Sequence, residues 1–124
     1  MPTRKSVFVV DDDPSMLKGM KRLLSQYGFD TREFDSAEAL RKSADFGRAF
    51  CIILDIDLSG SSGIDLRRQL AKEGIAVPVI YITGNDNQAT RAAALESGCL
   101  AYLTKPFAAR SLIEPIERAS AATA

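Results

Sequence analysis

Residues 50–63 read FCIILDIDLSGSSG, and this stretch decides how the rest of the chain is interpreted. Its first five residues, Phe50–Leu54, are apolar without alternation, which is typical of a strand buried on both faces of a parallel sheet. The run ends in Asp55, Asp57 follows two residues later, and a loop rich in serine and glycine comes next. Because open parallel sheets bind ligands at the carboxyl ends of their strands, we expect Asp55 at a ligand-binding edge.

Three further apolar runs also end in polar side chains. With the polar residues that follow them, they are Val7–Val10 with Asp11–Asp13, Val79–Ile82 with Thr83, and Cys99–Leu103 with Thr104 and Lys105. The carboxyl ends of parallel strands share one edge of a sheet. The sequence therefore predicts that carboxylates, a hydroxyl and an ammonium group meet at that edge.

Strand and helix patterns alternate five times, which predicts a parallel sheet with right-handed crossovers. The predicted strands are Ser6–Val10, Phe29–Phe34, Phe50–Leu54, Val79–Ile82 and Cys99–Leu103. The predicted helices begin at Pro14, after the cap Asp13, and at Ser36, Ile64, Gln88 and Ala109, and they end near Tyr27, Ala44, Glu73, Ser97 and Ala121. Polar alternates make the second strand an edge strand. The alanine-rich fourth helix is expected to be loosely held, with Leu95 as its main buried anchor.

Pro115 lies inside the predicted last helix. Proline has no N–H for the carbonyl of Ser111, and in a helix interior it costs about 3 kcal/mol or more. We expect the helix to bend at Pro115. The alternative is that the helix starts near Leu112, with Pro115 in its first turn.

Length and composition fit one domain over residues 1–124, with 46% hydrophobic and 26% charged residues. The 16 basic and 16 acidic residues balance, so bulk charge gives no reason to expect nucleic-acid or membrane binding. We find neither a secretory signal nor an apolar run that could span a bilayer, and we expect a cytoplasmic protein.

Two cysteines and no histidine make a structural zinc site a poor fit. If the fourth strand lies between Cys51 and Cys99, their backbones are about 9–10 Å apart. A disulfide needs Cα atoms closer than about 7 Å, so both are expected to be buried free thiols.

The ordered motifs, an acidic pair after the first strand, Asp55 after the third, Thr83 after the fourth and Lys105-Pro106 after the fifth, resemble the receiver domain of two-component response regulators. The resemblance covers nearly the whole chain. It implies a flavodoxin-like α/β fold: one doubly wound, five-stranded parallel sheet of order 2-1-3-4-5 with five helices. It also implies a signalling domain rather than an enzyme, with self-catalysed phosphotransfer and autodephosphorylation.

The resemblance implies that Asp55 takes a phosphoryl group from the phosphohistidine of a sensor histidine kinase. Placing a dianion on a carboxylate requires a hard cation such as Mg²⁺, which prefers oxygen ligands. Asp12 and Asp55 are the expected direct ligands, with Asp11 holding a coordinated water. The backbone carbonyl of Asp57 is the third protein ligand that the resemblance implies.

Two further side chains are expected to act on the phosphoryl oxygens. Lys105 supplies a point charge, and Thr83 donates a hydrogen bond from its hydroxyl. The family also commonly has a cis peptide at the position of Lys105-Pro106.

Drawing Thr83 inward would vacate space for Tyr102, and this switch would alter the face made by the fourth helix, fifth strand and fifth helix. A bend at Pro115 would reshape that face, so we expect the family's usual symmetric dimer to be disfavoured.

Two features depart from the family pattern. The family often has proline a few residues beyond the phosphorylated aspartate, whereas residues 59–62 here are Ser-Gly-Ser-Ser, which predicts a more flexible loop. Asp57 adds a negative charge near Asp55, and we interpret its side chain as a solvated loop carboxylate, with a direct role as the alternative.

Two other functions remain open from the sequence. Residues 55–59 also resemble the two-aspartate motif of haloacid dehalogenase phosphatases, although there the motif ends the first strand of a longer chain. The second is a receiver-like interaction module that is never phosphorylated. The presence of all five expected site residues argues against this function; they are Asp11, Asp12, Asp55, Thr83 and Lys105.

The residues of this sequence do not identify the target on which the domain acts. We expect either that the domain acts alone on a target protein, or that a downstream effector domain belongs to a longer protein. Residues 102–107, YLTKPF, resemble receivers attached to helix-turn-helix output domains.

Overall fold

The computed structural model describes residues 5–43 and 45–123. Residues 1–4, Ala44 at the predicted end of the second helix, and Ala124 lie outside the described residues. The strands are β1 (Ser6–Val10), β2 (Thr31–Phe34), β3 (Ala49–Asp55), β4 (Asp57–Leu58), β5 (Ser61–Ser62), β6 (Val79–Thr83) and β7 (Ala101–Thr104). The helices are α1 (Pro14–Gln26), α2 (Ala37–Ser43), α3 (Gly63–Lys72), α4 (Gln88–Ser97) and α5 (Ala109–Thr123), and a 3₁₀ turn spans Phe46–Arg48.

Five parallel strands form the main sheet in the order β2-β1-β3-β6-β7. For the five predicted strands this is the order 2-1-3-4-5, and the prediction is confirmed. β3 lies at the centre with all seven residues buried, as its unbroken apolar run indicates. β2 is an edge strand with two exposed residues.

Helices cover both faces of the sheet, so the fold is a doubly wound, flavodoxin-like α/β fold. On one face, α1 and α5 bury side chains such as Leu24 and Ile113 against alternate residues of the strands. On the other face, α2, α3 and α4 contribute Leu40, Leu70 and Ala94. This arrangement leaves the carboxyl edge of the central strands uncovered by either helical layer.

The two-residue strands β4 and β5, which are not predicted from the sequence, pair antiparallel in the loop between β3 and α3. Asp57 pairs with Ser62 and Leu58 with Ser61. Serine, glycine and aspartate have low strand propensity, so the sequence gives no strand signal here. The pairing gives the loop a defined backbone arrangement, and its greater flexibility stays a prediction.

The prediction that Leu95 anchors α4 is wrong. Leu95 is 61% exposed, whereas its neighbour Ala94 is fully buried. The helix packs its small residues against the sheet, so choosing the most hydrophobic side chain as the buried anchor selects Leu95 wrongly. α4 is therefore held by a smaller buried side chain than expected.

Both cysteines are free, as predicted. Cys51 is buried, and burial raises the pKa of its thiol to about 12. Cys99 is only partly buried, because β7 begins at Ala101 and leaves Cys99 before the strand. The prediction that both thiols are buried is thus half wrong.

α5 is a single helix from Ala109 to Thr123 with Pro115 inside it. The alternative start near Leu112 is therefore wrong. Pro115 itself is buried, between turns that bury Leu112 and Ala119. The bend at Pro115 and its effect on dimer formation stay predictions. Within the described part of the chain, no helix combines the length and apolar content needed to cross a membrane.

Candidate functional site

Three carboxylates meet at the carboxyl edge of the sheet. β1 runs into Asp11 and Asp12, and β3 ends in Asp55. Asp11 and Asp55 are buried, whereas Asp12 is exposed. One oxygen of each carboxylate lies within 4.8 Å of an oxygen of the other two. Such a set of hard, anionic oxygen donors fits Mg²⁺.

Lys105 supplies the positive charge in this cluster. Its Nζ lies 3.2 Å from Asp55 Oδ2 and 3.5 Å from Asp11 Oδ2. Burial alone would lower the pKa of Lys105, but the hydrogen bond and charge of Asp55, with a smaller contribution from Asp11, raise it above its ordinary value. Lys105 is therefore a firmly charged ammonium between two buried carboxylates. It follows β7 directly, and the Lys105-Pro106 peptide is cis.

The charged form of the Asp11 carboxylate is disfavoured by its surroundings. Burial raises the pKa of Asp11, and the negative charge of Asp55 adds to the rise. A hydrogen bond from the backbone amide of Asp13, at 2.9 Å, and the charge of Lys105 oppose it. A second positive charge at this cluster would relieve the repulsion.

Asp12 is held by a residue of the following loop. Its Oδ2 accepts hydrogen bonds from the backbone amide of Ser59, at 2.9 Å, and from the hydroxyl of Ser59, at 2.6 Å. These two bonds lower the pKa of Asp12, the hydroxyl bond being the stronger cause. Ser59 lies in the segment where the family often has proline, which has no amide proton to donate.

Thr83 ends β6 and is fully buried. Its hydroxyl donates a hydrogen bond to Asp57 Oδ2 over 2.7 Å and accepts one from the backbone amide of Asn85 at 3.0 Å. The amide of Asp57 donates to Asp55 Oδ1 at 2.8 Å. Asp57 is exposed to solvent, as predicted, and it also accepts a hydrogen bond from Thr83, which the interpretation as a merely solvated carboxylate does not include.

Tyr102 lies on β7 and is partly buried. Its hydroxyl donates to Asp86 Oδ1 at 2.9 Å, and the guanidinium of Arg91 sits 5.3 Å from its ring centroid. Arg91 also pairs with Asp86 at 2.7 Å. Burial, followed by the bond to Asp86, raises the pKa of Tyr102 to about 12. The coupling of Tyr102 to Thr83 stays a prediction.

The structure thus brings together Asp11, Asp12, Asp55 and Lys105 directly, and it joins Thr83 to them through Asp57. The bonding role of Ser59 is not predicted from the sequence, and that of the Asp57 side chain is predicted only as the alternative interpretation. The role of Gly63, which packs against the backbone of Asp55, is not predicted either. A glycine as the first residue of a helix, where other residues are favoured, was the signal for such a close approach.

Comparison with known proteins agrees with this geometry. The family model described as the response regulator receiver domain matches residues 7–117. The chain is 33% identical over 118 residues to nodulation protein W of Bradyrhizobium diazoefficiens, covering 95% of this chain and 52% of that protein. It is also 33% identical over 118 residues to transcriptional regulatory protein FixJ of Rhizobium meliloti, covering 95% of this chain and 58% of that protein.

Among solved structures, the chain is similar to the crystal structure of FixJ-N. The TM-score is 0.85 at 32% identity, with 98% of this chain and 96% of that one covered. The chain spans about half the length of the curated relatives it matches. The match is therefore to one part of those proteins.

Proposed function

Because this chain belongs to the response regulator receiver domain family, we propose that Asp55 accepts a phosphoryl group from the phosphohistidine of a sensor histidine kinase. The observation that carries the proposal is the placement of Asp55 at the end of the central strand, with Lys105 Nζ at 3.2 Å and two further carboxylates beside it. Receiver domains are signalling domains, and we propose that the 124 residues form one such domain.

In the proposed reaction, an Asp55 carboxylate oxygen attacks the phosphorus atom. A P–O bond forms, the P–N bond of the phosphohistidine breaks, and its electron pair stays on the histidine nitrogen. Phosphoryl transfer depends mainly on positioning and charge neutralisation, which this site offers through Lys105. Attack of water on the phosphorus of the resulting acyl phosphate would break the P–O bond to Asp55, release inorganic phosphate and return the carboxylate, which gives the autodephosphorylation that we also propose.

Asp12 and Asp55 would hold Mg²⁺, with Asp11 binding a coordinated water and the Asp57 backbone carbonyl as a further ligand. A bound Mg²⁺ would offset the negative charge of the carboxylates and of the phosphoryl oxygens. Lys105 would exchange its ion pair with Asp55 for one with a phosphoryl oxygen, and Thr83 would donate to another.

The wider context rests on the family. We propose a cytoplasmic protein whose switch acts through Tyr102 and the face formed by α4, β7 and α5. The curated relatives are about twice as long, and FixJ is described as a transcriptional regulatory protein, so we propose that the domain controls an effector domain or a target protein. We propose no direct nucleic-acid or membrane contact by this domain.

The phosphatase alternative is not supported. The two-aspartate motif ends the third strand in sequence, at the centre of the sheet, and the family match covers the whole region. In addition, the Asp57 carboxylate, which would be the acid/base group of such a phosphatase, is engaged with Thr83.

The test is incubation with acetyl phosphate and Mg²⁺, followed by intact-mass measurement. We expect one added phosphoryl group on the wild type and none on Asp55→Asn. Asp45→Asn, which removes a charge at the opposite edge of the sheet, should behave as the wild type. Stoichiometric uptake by Asp55→Asn, or no uptake by the wild type, would contradict the proposal. Turnover of p-nitrophenyl phosphate would instead revive the phosphatase alternative.

A further inference from the structure

The hydroxyl of Thr83 uses its one proton, and also accepts a hydrogen bond, within the protein. It donates to Asp57 Oδ2 at 2.7 Å and accepts from the amide of Asn85 at 3.0 Å. Because Thr83 is fully buried, water does not reach its hydroxyl and does not compete for these bonds there. The bond to a carboxylate is charge-assisted and short, and it belongs to the stronger class of hydrogen bonds.

A threonine hydroxyl carries a single proton. Thr83 therefore cannot donate to Asp57 and to a phosphoryl oxygen at the same time. The proposed function requires the second bond, and the structure contains the first. The two arrangements of Thr83 exclude each other, and their relative free energies set how readily Thr83 engages a phosphoryl group.

Asp57 is placed to make this exchange reversible. Its backbone is fixed by the β4–β5 pair and by the 2.8 Å bond from its amide to Asp55 Oδ1. Its side chain is exposed, so the carboxylate can leave Thr83 for water without an uncompensated burial of charge. A phosphoryl group on Asp55 would also place negative charge close to Asp57 and drive its carboxylate outward.

We propose that Asp57 is a positioning residue that holds Thr83 in the unphosphorylated arrangement and competes with the phosphoryl group for the Thr83 hydroxyl. Phosphorylation of Asp55 moves the Thr83 hydrogen bond from Asp57 to a phosphoryl oxygen, and the Asp57 carboxylate turns to solvent. This inference rests on the proposed function. It assigns to the Asp57 side chain a role that is separate from the metal contact proposed for its backbone carbonyl.

Two substitutions at Asp57 separate the effect of its hydrogen-bond acceptor from the effect of its negative charge. Asp57→Asn keeps an acceptor oxygen at the same place but removes the charge, and Asp57→Ala removes both. The backbone carbonyl and amide of residue 57 remain in both variants. Asp45→Asn is the matched control, because it removes one carboxylate charge far from the site and retains an oxygen that can cap the 3₁₀ turn.

The experiment measures binding of beryllium trifluoride, a stable mimic of a phosphoryl group, in the presence of Mg²⁺ by two-dimensional ¹H–¹⁵N NMR. Because a hydrogen bond to a charged group contributes about 1.5 kcal/mol or more, we expect Asp57→Ala to bind about tenfold more tightly than the wild type. Asp57→Asn should lie between the two, and Asp45→Asn should match the wild type. Before any addition, the amide signals of Thr83 and Asn85 should already be displaced in Asp57→Ala toward their positions in the beryllium trifluoride complex.

Equal or weaker binding by both Asp57 variants, while the wild type binds, would overturn the inference and leave the proposed function standing. Unchanged Thr83 and Asn85 signals in Asp57→Ala would overturn it as well. A wild type that binds no beryllium trifluoride would instead remove the proposed function, and the inference with it. If Asp57→Ala does not fold, the ordering of Asp57→Asn above the wild type carries the same test.

Discussion

Gly63, the first residue of α3, lies directly against the carbonyl oxygen of Asp55. A Cβ atom at Gly63 would overlap that oxygen and would lie 3.1 Å from the Cα atom of Ile56. The amide of Gly63 also donates to the carbonyl of Ile56 at 3.0 Å. The start of α3 therefore fixes the backbone that carries the proposed phosphoacceptor, and glycine leaves the space that this contact needs.

Gly63→Ala should lower the free energy of unfolding by about 1–3 kcal/mol, because the new methyl group meets backbone atoms that cannot rotate away. It should also reduce phosphorylation by acetyl phosphate, since Asp55 must shift. Urea denaturation and intact-mass measurement would check the two effects. Gly19→Ala is the control: apart from its chain neighbours and the backbone of its own helix, no atom lies within 4 Å of the new Cβ in the middle of α1, so stability should rise by about 0.5–1 kcal/mol. A Gly63→Ala protein as stable as the wild type would show that the contact is not tight.

Asp12→Ala should weaken Mg²⁺ binding without destabilising the metal-free protein. Asp12 is exposed, and its described hydrogen bonds from another residue come from Ser59, so its removal leaves no buried group unpaired. The two Ser59 bonds are lost, but removing one of three clustered negative charges relieves repulsion and offsets that loss. Calorimetric titration with Mg²⁺ and urea denaturation in EDTA would measure the two quantities. Unchanged metal affinity would contradict the assignment of Asp12 as a ligand.

Asp11→Asn should stabilise the metal-free protein near neutral pH. Burial holds the pKa of Asp11 above its ordinary value of 3.8, so the folded state binds the proton more tightly than the unfolded state does. The wild type therefore loses stability as the pH rises from 3.8 through the raised folded value. Asparagine carries no charge and keeps the acceptor for the amide of Asp13.

Ser59→Ala provides a comparison of opposite sign. The pKa of Asp12 is lowered by Ser59, so this carboxylate contributes stability above its ordinary pKa, and that stability is lost as the pH falls through the folded value. Ser59→Ala should reduce that contribution, whereas Asp11→Asn should remove a destabilisation. Urea denaturation of metal-free protein between pH 3 and pH 7 would measure both. If the stability of Asp11→Asn equals that of the wild type at every pH, the charged form of Asp11 does not destabilise the protein, and this prediction is wrong.

A phosphoryl mimic at Asp55 should change the environment of Tyr102 and of α4. In the structure, Tyr102 is held by Asp86 and Arg91, and α4 buries only the small side chain of Ala94 completely. We expect amide signals of Tyr102 and of α4 to shift on addition of beryllium trifluoride, with those of α2 unchanged. Shifts confined to the neighbourhood of Asp55 would refute a switch that reaches this face.

The sequence predicts the fold well because its signals are local and strong. The unbroken apolar run of β3, the Asp13-Pro14 start of α1 and the turn at Gly28, which has a φ of 83°, each identify an element without tertiary information. The positions of the polar residues at the strand ends follow from the topology of the sheet. Once the order of the strands is predicted correctly, these residues are expected to meet at one edge.

The missed features depend on contacts between distant residues. Ser59 reaches Asp12 across 47 residues of sequence, and Thr83 reaches Asp57 across 26. Neither bond has a periodic or compositional signal. The exposure of Leu95 depends on how α4 is rotated against the sheet, which the weak apolar pattern of an alanine-rich helix does not determine.

The most direct test of the account is to map the phosphorylated residue. Wild-type protein would be treated with acetyl phosphate and Mg²⁺ and then reduced with borohydride, which converts an aspartyl phosphate to homoserine. Peptide sequencing by mass spectrometry would then locate the homoserine. The account predicts homoserine at position 55 and at no other aspartate. Homoserine at position 12 or 57, or phosphate retained on a serine or threonine, would contradict it.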